Sequence, residues 1–249
     1  MAIALRCWTG AVLAIGLSAC VTPYAPVEFD QSGETLHTVA ILDDTLPDTV
    51  LFYQTGSLGT KLGMVGLVAE APFRDAAQSR MDDLIVALGF DGETMFEQSL
   101  IEGFAAAGIG AHVVSAERKA RGLLEDYPDL PTPADAYLDV VNVGYGYVSK
   151  GVGRPYRPTL GVQVRMVSAD GSERVLLDQQ IIYGPVAHYA SVIELEGDDS
   201  FGFAGLDEME EDPERVISGL KTAFESVAAE LTALIGHAPT PEAIEDKPS

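Results

Sequence analysis

Apolar positions recur along this chain with two different periods. Between Ala71 and Leu88, Phe73, Ala77, Met81, Leu84, Ile85 and Leu88 follow at steps of mostly three and four, which places them on one stripe of a helix. Gly89 ends that stripe. Phe96, Leu100, Ile101 and Phe104 predict a second helix closing at Gly108. A third opens at Asp212-Pro213, a good N-cap followed by a proline at the first helical position. Ile217, Leu220, Phe224, Val227, Leu231 and Leu234 share its one face, and Gly236 ends it.

Elsewhere the period is two. Leu160, Val162, Val164 and Met166 alternate with Thr159, Gly161, Gln163 and Arg165, the signature of a sheet wet on one face. Short β-branched runs at 36–42 (LHTVAIL) and 49–55 (TVLFYQT) predict two strands, and GAHVV after Gly108 predicts another. Three more follow at about 135–149, 157–168 and 173–184, with Ala169-Asp170-Gly171-Ser172 as a tight turn. Residues 116–133 read as a connector with one helical turn. The predicted order is β-β-α-α-β-β-β-β-α, an α/β (α+β) fold in which helices cover one face of a mixed, largely antiparallel sheet. In NVGYG, residues 142–146, Gly144 and Gly146 fall on one face of a strand and Tyr145 and Tyr147 on the other. The glycines there are expected to admit a helix closely. A potassium-channel filter, which the motif resembles, needs flanking membrane helices that the mature chain lacks.

The N-terminus has its own pattern. A short charged stretch ending at Arg6 precedes an apolar run from Cys7 to Ala19, too short for a bilayer span of about 20 residues and fit for a cleavable export signal. Its end, Leu17-Ser18-Ala19-Cys20, resembles the lipobox of bacterial lipoproteins. That resemblance implies a thioether-linked diacylglyceryl group on Cys20, cleavage after Ala19 and acylation of the new amino terminus. The other reading is an ordinary export signal in which the cysteine is incidental. Several chains matter, because one acyl chain binds a membrane only marginally and reversibly. Cys7 would leave with the signal, so no intramolecular disulfide remains possible. Val21, rather than Asp, after the cysteine implies the outer membrane, facing the periplasm, by the best-known lipoprotein sorting rule. The expected organisation is a signal peptide at 1–19, a tether at 20–35, a single periplasmic domain at 36–236 and a disordered tail at 237–249.

Charge narrows the function. Fifteen Lys and Arg stand against 38 Asp and Glu, a formal net charge of −23, and such a surface repels phosphate backbones, so no nucleic-acid partner is expected. Hydrophobic residues at 47 % exclude wholesale disorder. The acidic stretch at 194–214 (ELEGDDSFGFAGLDEMEEDPE) lacks the alternating carboxylate loop of a calcium site and reads as a solvated loop. His37, His112, His188 and His237 form no metal-ligating pair, and no phosphate loop, dinucleotide fingerprint or nucleophile elbow is present. No catalytic residue, metal or cofactor is assigned.

The element order, with ADAYLDVVNVGYGYV opening the meander, is similar to small periplasmic α/β envelope lipoproteins: the curli-secretion lipoprotein, the penicillin-binding-protein activators and the TolB N-terminal domain. The resemblance implies a non-enzymatic assembly or accessory factor with an envelope protein partner and transfers no residue. A carrier of an apolar or acyl ligand is the alternative, and a hydrolase with a nonlocal site the third. One further segment stands out. Gly56, Gly59, Gly63 and Gly66 would align on one helical face, yet four interior glycines oppose a helix by roughly 4 kcal/mol. A glycine-rich loop is therefore one reading, and a partner- or membrane-contacting segment that orders on binding is the other.

Overall fold

The structure, a computed structural model, describes residues 24–30, 35–55, 63–118, 122–127, 133–185 and 191–236. It is an α+β fold. Its elements are β1 (Thr38–Leu42), β2 (Leu51–Gln54), α1 (Gly63–Ala87), α2 (Gly92–Ala106), β3 (Gly110–Val114), β4 (Ala136–Ser149), β5 (Tyr156–Ser168), β6 (Val175–Tyr183), β7 (Ile193–Leu195), α3 (Leu206–Glu211) and α4 (Pro213–Gly236). One sheet runs in the order β3-β1-β4-β5-β6-β7, and β2 pairs with the far half of β4. The meander β4-β5-β6 is antiparallel, whereas β1, β2 and β3 join in parallel.

Alternation along β1 shows how the layers divide. Val39 and Ile41 enter the main core beneath the helices. Ala40 and Leu42 enter a smaller cluster on the opposite face, roofed by Ala116, Leu124 and Tyr127 of the connector after β3. The main core fills the space between sheet and helices with the inward residues of β4 and β5 and with Phe96, Phe104, Leu220, Phe224 and Leu231, all essentially inaccessible to solvent. Phe224 sits at its centre, with ring centroids 5.4 Å from Phe96, 5.7 Å from Tyr145 and 6.3 Å from Phe90. Helices α2 and α4 touch closely: a Cβ on Gly103 would lie 2.7 Å from Thr232 Oγ1.

Four expectations change. Helix α1 begins at Gly63 rather than Ala71, running through Gly63, Gly66 and Pro72 against their helix preferences, while Met81 and Ile85 bury its later turns. Gly146, with φ +146°, admits a strand rather than a helix: any Cβ there would collide with the Leu51 backbone of β2, its ladder partner. The described residues of the 116–133 connector contain no helical turn. The acidic stretch is structured rather than plain loop, since most of β7, a 3₁₀ turn at Asp199–Phe201 and α3 lie within it. Pairing with β6 holds β7, burial of Phe203, Leu206 and Met209 seats the rest on the core, and arginines meet its exposed carboxylates. Arg80 of α1 reaches Asp207 and Glu210 at 2.6 and 2.7 Å, Arg157 reaches Asp199 at 2.8 Å, and Arg215 reaches Glu208 at 2.6 Å.

Candidate functional site

The stretch expected to be a tether is part of the fold where it is described. Val27 donates to the Asp178 carbonyl at 2.8 Å and accepts from the Asp178 N–H at 2.9 Å, an antiparallel bridge on the outer edge of β6. The Tyr24 hydroxyl donates to Asp178 Oδ1 at 3.0 Å, and the Gln179 amide donates to the Val27 carbonyl. Phe29 packs against the main core. The segment thereby forms one wall of an open groove of about 650 Å³, whose other walls are β6, β7 and the last turns of α4. Leu177, Ile193, Ala233 and Leu234 supply its apolar floor, and Glu28, Gln179 and Glu230 its polar groups.

A second open groove, of about 550 Å³, lies between the α1–α2 junction and α4, with Phe90, Met95 and Ile217 between Asp91, Glu102, Lys221 and Glu225. Close to it, the N-terminal turns of α2 concentrate carboxylates. Asp91 caps the helix through Thr94 N–H, which holds its carboxyl below the usual range. Glu93 accepts from the Thr45 N–H and hydroxyl and from the Leu46 N–H at 2.7 to 2.8 Å, which ties the β1–β2 connection to α2. Glu97 is pushed up to about 7 by its burial and then by the Glu93 charge beside it, with smaller contributions from Asp43 and Asp91.

The outer sheet face carries a row of charge. Asp139, Arg165 and Asp178 are ladder neighbours across β4, β5 and β6. Arg165 Nη2 is 2.8 Å from Asp178 Oδ2. Asp139 is wholly buried, 2.8 Å from the equally buried Arg118 Nη1, and accepts from the Leu124 N–H at 2.7 Å and the Tyr127 hydroxyl at 3.1 Å. Burial and then the Asp139 charge push the Tyr127 phenol upward. Arg118 also donates to the Asp43 and Gly122 carbonyls. The row therefore fastens the connector and the N-terminal segment to the sheet.

Cys20, Gly56 and Gly59 lie outside the described residues, as do His188 and His237. Gly63 and Gly66 fall in the first turns of α1. His37 immediately precedes β1 and His112 lies in the neighbouring β3, Thr38 pairing with Gly110 and Ala40 with His112, and no group of three His, Cys, Asp or Glu among the described residues is placed to hold a metal ion. The sequence reading missed Tyr24, the Arg118–Asp139 pair and the Glu93–Glu97 neighbourhood. Only the last had a local mark, two glutamates one helical turn apart.

No family model matches the chain, and no curated protein matches it. Among solved structures, the crystal structure of a Xanthomonas campestris protein of family DUF330 is similar at 15 % sequence identity with a TM-score of 0.34, over 56 % of this chain and 58 % of that one. Among the described residues, no helix is long and apolar enough to cross a membrane.

Proposed function

We propose that this chain is a lipid-anchored envelope protein, held at a membrane through Cys20 on the periplasmic side, that works without catalysis by binding another envelope component as an assembly or accessory factor. The observation that carries the binding role is the division between a filled interior and open grooves. Phe96, Phe104, Leu138, Leu160, Met166 and Phe224 are each buried to the last few per cent between sheet and helices, while the two grooves open at the surface on either side of α4. A carrier that parts its layers around an acyl chain would have to disrupt that packing, at a cost of several kcal/mol for each large side chain displaced. A surface groove with an apolar floor and a polar rim suits a protein segment. The anchor rests on the Leu-Ser-Ala-Cys ending of the export signal.

Photo-crosslinking in intact envelopes tests the reading, with the reactive side chain placed at Gln98 on one groove and Ser191 on the other. The expected result is a discrete protein adduct, identified by mass spectrometry, from one position and not from an exposed control at Val152. Adducts to lipid alone from Gln98 would favour the carrier instead.

A further inference from the structure

We infer that the sheet edge built by residues 24–30 alongside β6 is the side of the domain that faces the bilayer, and that the opposite edge, β3, faces away from it. The inference rests on the proposed acylation of Cys20 and adds an orientation to it. Only residues 21–23 separate Cys20 from Tyr24. Whatever their conformation, four residue steps span at most about 14 Å, so Tyr24 cannot stand farther than that from the lipidated sulfur's own residue. Tyr24 is in turn fixed to Asp178, and Val27 is bonded to the same residue through two backbone hydrogen bonds. A tether running freely to residue 35 would have let the domain turn in any direction; a leash of this length, ending on a β6 edge, does not.

The surface beside that attachment suits the role. Val27 and Val175, each 39 % exposed, are two of the few large apolar side chains left in solvent, and both lie along this edge. The chain as a whole carries a net charge of −23, and residues 24–30 themselves include Glu28 and Asp30, so the short leash, and not charge, sets which side is held nearest the bilayer. The partner is therefore the bilayer that holds the anchor.

The mature chain contains one cysteine, and acylation consumes it, so an engineered thiol is unique. Val27→Cys marks the proposed membrane edge. Ser115→Cys, exposed just after β3, marks the opposite edge, five strand spacings or about 24 Å away across the sheet. Full-length acylated protein carrying a fluorophore at either position would be reconstituted into vesicles of phosphatidylethanolamine and phosphatidylglycerol containing headgroup spin-labelled lipid. At least threefold stronger quenching at position 27 than at 115 is expected, and a flexible insertion of 20 residues after Thr22 should reduce it. Equal quenching at both positions, or none at either, in protein that floats with the vesicles would overturn the orientation and leave the anchor standing. Protein that carries no lipid mass and does not float would overturn both.

Discussion

At the scale of single residues, two carboxylates behave differently because their partners differ. Glu97 is partly buried and shares its surroundings with Glu93, so its proton is held up to about 7 rather than the ordinary 4.5. The folded protein then binds that proton more tightly than the unfolded chain, and the stability it contributes, complete below about pH 4.5, is lost as pH rises through about 7. Glu97→Gln should flatten this part of the curve: melting temperatures of the two proteins should be close at pH 5 and the variant's higher at pH 8. Asp139 is the opposite case, wholly buried against Arg118. Asp139→Ala strands the guanidinium away from water and should cost about 3–5 kcal/mol in urea unfolding, whereas Arg118→Met with Asp139→Leu should recover much of that loss. A double variant no more stable than Asp139→Ala would mean that the pair does more than neutralise itself.

Among the elements, α4 carries the most weight. Its apolar stripe was readable because Ile217, Leu220, Phe224, Val227, Leu231 and Leu234 repeat at helical spacing; the middle four are buried, whereas Ile217 and Leu234 are partly buried against the core. Phe224→Ala removes the ring that Phe90, Phe96 and Tyr145 surround and should lower unfolding free energy by about 3–5 kcal/mol, measured by chemical denaturation. The meander was equally plain, since period-two alternation and the Ala169–Ser172 turn are local marks. What stayed hidden depended on distant partners. β7 and α3 are short and acidic; β7 holds shape by pairing with β6, and Arg80, Arg157 and Arg215 reach α3 and the turn before it from other parts of the chain. The docking of Tyr24 and Val27 on Asp178 joins residues about 150 positions apart, and polar residues between prolines gave no hint of it. The grooves share this character, for the first joins four separate segments and the second brings residues 88–102 against α4.

For the whole molecule, the core clusters among the described residues begin at Phe29, nine positions after Cys20, so attachment and folding should separate cleanly. Cys20→Ala should move the protein from the membrane fraction to the soluble fraction of the periplasm and leave its melting temperature unchanged; continued sedimentation with membranes would contradict the anchor. The topology has a further effect, on the order in which the molecule can be assembled. β1, the segment TVAIL, is held between β3 and β4, and both are made later than it is. Its second neighbour is complete only at Leu138, about 100 residues on, which at synthesis rates of about 5–20 residues per second is roughly 5–20 s. Until β3 is made neither edge of this uncharged, β-branched strand can be occupied, and until Leu138 one edge still cannot, the condition under which strands from separate chains pair with one another. The first strand's edges thus lie open to such pairing well before any function is asked of the domain.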